Sequence, residues 1–100
     1  MKTEDKVKPI TGLKKIDLNF PFIALDGKEI PDTNAGKYLG NALAHNNKGD
    51  AVKQFGIATR LYTGEPIELD KSDIDMLIEF VKSSDGFSNL SEAQILAVLQ

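Results

Sequence analysis

The side chains here whose types suit acid–base or metal chemistry are one histidine, His45, and a run of acids, Glu65, Glu68, Asp70, Asp73, Asp75 and Glu79. Two carboxylates work as general acid and base when they converge on a pocket that pushes their pKa values apart. Asp70 and Asp73 instead occupy helix-capping positions, and Asp75 and Glu79 lie one turn apart on a polar helix face, so the acids read as a solvated surface. An EF-hand needs oxygen ligands at alternate positions, and Asp70-Lys71-Ser72-Asp73-Ile74-Asp75 sets Ile74 where an oxygen belongs, which argues against calcium. His45 stands beside Asn46 and Asn47, with no second His and no Cys in the chain. That setting favours a helix C-terminal residue held by the macrodipole over a metal ligand or a triad member.

The remaining chemistry-bearing types add no constellation. The eight glycines fall singly, with neither the P-loop nor the dinucleotide fingerprint, and no elbow sequence surrounds any Ser or Thr. Arg60, the sole arginine, reads as a partner of Glu65 or of a helix end rather than a phosphate contact. The absence of cysteine removes disulfides, thiolate metal sites and thiol nucleophiles, and gives no sign of an oxidising compartment. The expectation is therefore no catalytic residue, no metal, no cofactor and no enzyme activity.

The elements that would position any site are written more plainly. Residues 1–13 contain Pro9 and Gly12 and keep no period, which predicts a mobile N-terminal arm ahead of one domain over residues 14–100. Ile16, Leu18, Phe20, Phe22 and Ala24 alternate as in a strand, with Pro21 requiring an edge or a bulge. Asp26-Gly27 supplies two-residue hairpin chemistry, with Leu25 opposite Lys28, Ile23 opposite Ile30, and a return strand ended by Pro31. Asp32-Thr33-Asn34 offers caps for a first helix carrying Ala35, Leu39, Ala42 and Leu43 on one face with Tyr38 beside them, broken at His45 to Gly49. Asp50 caps a second helix to about Tyr62, with Val52, Phe55, Ala58, Thr59 and Tyr62 as its buried stripe, widened by Ile57 and Leu61. Gly64 and Pro66 end it.

Two capping sequences, Leu69-Asp70-Lys71-Ser72-Asp73-Ile74 and Leu90-Ser91-Glu92-Ala93-Gln94-Ile95, start a third helix (71 to about 84) and a fourth (92 to 99). The expected fold class is α+β, an N-terminal β-hairpin packed on a small bundle of three to four helices. Its core should hold Phe20 or Phe22, Leu39, Leu43, Phe55, Ala58, Tyr62, Leu69, Ile74, Leu77, Ile78, Val81 and Leu96. Gly36 and Gly40 form a small-xxx-small pair that permits close helix approach, although in soluble proteins this spacing is usually incidental. Ile95, Leu96, Val98 and Leu99 crowd into the last turn and either complete the core or bind a partner, making Ile95, Val98 and Leu99 the candidate partner contacts.

With 41% hydrophobic and 27% charged residues the composition is that of a soluble globular protein. No secretory signal or membrane-length apolar run is present, which makes the cytoplasm the expected location. The net charge of -3 is unevenly spread, with +3 over residues 1–15, 0 over 16–64 and -6 over 65–100. The acidic helical end is a poor phosphate surface, and the five lysines of the basic stretch are diluted by Glu4 and Asp5, so nucleic acid is not the expected partner.

Four stretches carry a resemblance: Phe22-Ile23-Ala24-Leu25-Asp26-Gly27, the run from Asn34 to Ala44 followed by Lys48-Gly49-Asp50-Ala51, the run from Ala58 to Asp70, and Ala93-Gln94-Ile95-Leu96. In them the chain resembles small uncharacterised proteins encoded in phages and prophages of gut bacteria. The resemblance implies a setting in which proteins of this size act as assembly chaperones, head or tail accessories, or inhibitors of host systems. It specifies no functional residue. The expected function is a non-enzymatic interaction or assembly protein with a protein partner or self-association. The alternatives are a small regulator or inhibitor acting on a host protein or nucleic-acid complex, and a small enzyme using the clustered acids.

Overall fold

The computed structural model describes residues 13–100, and the predicted arm over 1–13 lies outside the described residues except for Leu13. Over the described residues the chain is an α+β fold of two short strands and four helices: β1 (Lys14–Ile16), α1 (Ala35–Ala44), α2 (Ala51–Thr63), β2 (Ile67–Leu69), α3 (Lys71–Ser83) and α4 (Asn89–Leu99). β1 and β2 pair antiparallel, with Lys14 opposite Leu69, Lys15 opposite Glu68 and Ile16 opposite Ile67. The second strand of the pair thus comes from the middle of the chain, immediately before α3. Lys14 also donates from Nζ to the Gln100 carbonyl at 3.1 Å, placing a cation at the C-terminal end of α4 where the helix dipole favours it.

The alternating segment after Ile16 keeps its predicted period but not its predicted partner. Ile16, Leu18 and Phe22 are buried, so Phe22 rather than Phe20 enters the core. Their backbone meets the start of α1. Ala35 N donates to Phe20 O and Gly36 N to Leu18 O, both at 2.8 Å, satisfying amides that an isolated helix leaves without partners. The Asp26-Gly27 turn forms, with Ala24 N bonded to Lys28 O, but its single bridge joins Ile23 to Glu29. The register is therefore one residue from the one expected. The turn is fastened from outside, since the Gln94 side-chain amide of α4 accepts from Ile23 N at 2.9 Å and donates to Ile23 O at 2.7 Å. A side chain replaces the longer return strand.

The caps settle the helix ends. Asn34, Asp50 and Asp70 accept from the amides of Lys37, Lys53 and Asp73 respectively, and Gly64 closes α2 in the left-handed conformation. α4 departs from expectation, because its cap is Ser88 and not Ser91. Phe87 packs edge-on against Tyr38 and Phe80, and the helix starts directly after that anchor, leaving Ser91 buried in the first turn with its hydroxyl on Ser88 O.

One apolar core joins all six elements, with Ile16, Leu39, Leu43, Leu77, Val81, Ile95 and Leu99 almost completely enclosed. Ile78 and Leu96 are partly buried against it. α1 and α2 approach until their backbones nearly touch. A Cβ added at Gly36 would stand 2.7 Å from Leu61 O, and one added at Gly40 would stand 2.7 Å from Ala58 O. The glycine pair is therefore the seat of the helix contact, not an incidental spacing.

Gly40→Ala should lower stability by about 1–3 kcal/mol in urea unfolding although alanine is the better helix former, because backbone has nowhere to yield. An unchanged or raised midpoint would contradict the contact. Leu77→Ala should cost about 2–5 kcal/mol by the same measurement, as for a fully enclosed core leucine.

Candidate interaction surface

The residues singled out for chemistry do not converge. His45 caps the C-terminal end of α1, and its Nδ1 lies 2.8 Å from Asn41 O, a contact that puts the ring proton on Nδ1. Asp70 accepts from Asp73 N at the head of α3, Asp75 pairs with Lys71 at 2.8 Å across one helical turn, and Asp73 pairs with Lys53 of α2 at 2.5 Å. None of Glu65, Glu68, Asp70, Asp73, Asp75 and Glu79 lines the three clefts around Phe55 and Tyr62 or the one at Gly56. Among the described residues no three His, Asp or Glu side chains gather as a metal site requires, and no helix is long and apolar enough to cross a membrane. Arg60 makes no ion pair with Glu65 or any other described residue.

The candidate partner contacts at the chain end are also placed differently. Ile95 and Leu99 are enclosed in the core and Val98 is partly buried against it, so this turn is occupied by its own domain. α4 needs that face to hold β1, α1 and α3 together, which leaves little of it for a partner.

The exposed apolar surface is on α2 instead. Val52, Phe55 and Tyr62, expected in the buried stripe of this helix, are 85%, 64% and 54% exposed, and Thr59, expected there too, is exposed with them. Gln54, Ile57, Ala58 and Leu61 are the buried set. Both sets keep helical spacing, and the phase was decided by α1. The glycines of α1 accept only the Ala58 and Leu61 side of α2, which turns Phe55 and Tyr62 out to the rim. Gln54 is tolerated inside because its Oε1 accepts from Asn46 Nδ2 at 2.9 Å, and that amide also holds Lys48 O in the loop between the helices.

Phe55 stands between two shallow clefts. One, of about 210 Å³, runs towards α1 and is lined by Gly40, Asn41, Ala44, Ala58 and Tyr62. The other, of about 410 Å³, lies towards the interhelical loop against Leu43, Ala44, Val52 and Gln54. Beyond Tyr62 an open groove of about 860 Å³ continues over Lys37, Tyr38, Phe22, Ile30 and Leu90. Its floor is an aromatic row, with Tyr38 edge-on to Phe22 at 5.8 Å and to Phe87 at 5.2 Å, and with the Tyr38 hydroxyl donating to Gly86 O. Lys37 Nζ lies 5.5 Å from the centre of the Tyr62 ring, within cation–π range. The two clefts beside Phe55 are mainly apolar, whereas the open groove beyond Tyr62 is mixed, with Asp32, Thr33, Asn34, Lys37, Asn41, Ser88 and Ser91 among its lining.

One charged contact fixes the outer side of α2. Asp73 Oδ1 is closed off from solvent, with the Lys53 ammonium against it, and this hydrogen bond and charge hold the Lys53 pKa above its ordinary 10.5. Asp75 raises Lys71 in the same way.

A raised lysine pKa contributes stability that is complete below the unfolded value and is lost as pH rises through the folded one. The stability lead of the wild type over Lys53→Met should therefore be constant up to about pH 9 and close above about pH 10.5, measured by urea titration. A lead unchanged at high pH would mean that Lys53 acts through packing rather than charge.

No protein-family model matches the chain, and no curated protein or solved structure matches it.

Proposed function

We propose that the protein is a non-enzymatic interaction or assembly protein that works through the exposed face of α2. The observation that carries this reading is the stripe Val52, Phe55, Thr59 and Tyr62. Three large apolar residues at core-like spacing remain in water although the core is complete without them. Single exposed apolar residues need no explanation, whereas a contiguous, rigid patch with clefts beside it is characteristic of protein contact. Phe55 and Tyr62 have the size and aromatic character of residues that anchor such contacts.

The caps and the α1 contact hold the stripe rigid before binding, which limits the entropy lost when a partner docks. The setting implied by the sequence resemblance gives this reading a place in the cytoplasm of a phage-carrying cell, as an accessory or chaperone in head or tail morphogenesis.

Phe55→Glu tests the reading because the site is exposed and the change leaves the core intact. Its stability should stay within about 0.5 kcal/mol of wild type, while capture of the partner from host or phage lysate, followed by titration of the purified partner, should be lost. Equal binding by the variant would remove the α2 face from the proposal.

A further inference from the structure

We infer that the occupant of the exposed α2 face is an amphipathic helix of a different protein, with acidic residues along one flank of its apolar stripe. The inference rests on the reading of this face as a contact surface and states the chemistry of what covers it.

Shape selects a helix. Phe55 lines both of the mainly apolar clefts and stands as a ridge between them. On α2 the larger cleft is lined by residues between Ala51 and Phe55, and the smaller by residues between Phe55 and Thr63. The midpoints of these spans, near residues 53 and 59, lie about 9 Å apart along the axis. Side chains seven residues apart on one face of a partner helix are separated by about 10.5 Å, close to that spacing. Same-face side chains of an extended strand fall at about 6.6 or 13 Å and miss it. Two apolar anchors two turns apart therefore seat on either side of Phe55.

Charge selects the flank. No carboxylate lines these two clefts, nor a third of about 220 Å³ that adjoins the larger one at Val52 and runs past Gly56 to Ile67 and Leu69. The charged residues lining that third cleft are Lys53 and Arg60. Lys53 is paired with Asp73, whereas Arg60 is exposed and has no ion pair among the described residues. At the other end of the stripe the Lys37 ammonium lies over the Tyr62 ring. The nearby Asp50 carboxylate is taken up by Lys53 N as the helix cap. The face is thus cationic in a chain of net charge -3. An exposed guanidinium beside apolar clefts is matched by a carboxylate, which it binds in bidentate fashion.

The same observations turn away other occupants. A second copy docking by its own α2 face would set cation against cation. The acidic helices of a second copy offer no anchors, because no large apolar residue of α3 or α4 is exposed. Nucleic acid requires a row of free cations in place of apolar clefts.

The test is selection of displayed random peptides of about 16 residues, enough for four helical turns, on the immobilised full chain, with counter-selection on Phe55→Glu. Recovered peptides should share apolar residues seven apart and a net negative charge. Titrated by fluorescence anisotropy, they should bind Arg60→Glu at least about tenfold more weakly than wild type, and peptides with the acids replaced by glutamine should bind the two proteins equally. Peptides that need Phe55 but carry no excess of acids, or that bind Arg60→Glu as well as wild type, overturn the acidic helix and keep the contact surface. Recovery of no Phe55-dependent peptide overturns both, unless Phe55→Glu abolishes self-association in light scattering or binding to phosphatidylglycerol vesicles. Either of those results overturns the acidic helix alone, giving the face to a second copy or to a membrane.

Discussion

The near-contact of two helix backbones at Gly36 and Gly40 is the constraint from which the rest of the structure follows. At 2.7 Å from Leu61 O and Ala58 O there is no room for even one methyl group, so α1 can accept only one face of α2. That choice carries Ile57 and Leu61 inward to meet Leu39 and Leu43, and it carries Phe55 and Tyr62 outward. Polar groups then conform to the imposed phase. Gln54 goes inside and is satisfied by Asn46, and Lys53 is brought to the side of α3 where Asp73 waits. A helix rotated by half a turn would bury the larger aromatic residues and lose each of these pairings.

The segment leading into α1 shows a second economy of polar groups. Beyond Ile16 the chain leaves the sheet, bends at Phe20, whose amide donates to Leu18 O, and must satisfy its remaining backbone groups elsewhere. β1 and β2 supply three residues each, and beyond Ile16 the carbonyls of Leu18 and Phe20 turn to the first amides of α1. Two sets of orphan groups, the carbonyls of this irregular segment and the amides of a helix N-terminus, satisfy one another. Thr33 repeats the arrangement by accepting from Phe22 N and donating to Ile30 O, and Gln94 does so for Ile23. These bonds connect the N-terminal segment to α1 and α4.

Local devices were therefore legible in the sequence, and the long-range ones were not. Asn34, Asp50 and Asp70 are caps because a side-chain oxygen within three residues of a free amide needs no knowledge of the remainder of the fold. The α+β class and the turn at Asp26-Gly27 are readable as well, whereas Ser91, read as the cap of α4, lies inside its first turn because Ser88 takes that role. Pairing of Ile16 with Ile67 is not, since 51 positions separate them and three-residue strands carry almost no pattern. The phase of α2 fails differently. Its sequence offers two stripes of comparable apolar content, and the arbiter, the pair of glycines, lies in another helix. The chain end misleads in the opposite sense, because Ile95 and Leu99 look surplus until β1 and α1 are seen to close over them. As a consequence the exposed apolar stripe of this chain lies at 52–62, while Ile95 and Leu99 at the chain end complete the core.

The phase of α2 leaves in water a stripe patterned for burial. Sequence patterning records where apolar residues belong in the state in which the protein operates, and Val52, Phe55 and Tyr62 are patterned for burial. Within this domain their burial would require removing Leu61 and Ile57 from the core or parting the helices at Gly40, and both are blocked by contacts already made. The two demands are compatible if burial of the stripe is completed from outside. Water-exposed Phe and Val on a well-capped, close-packed helix carry a standing risk of non-specific association, which neither the caps nor the core requires the chain to run. Phase, which one glycine pair decides, is in this protein what separates the buried stripe of α2 from the exposed one.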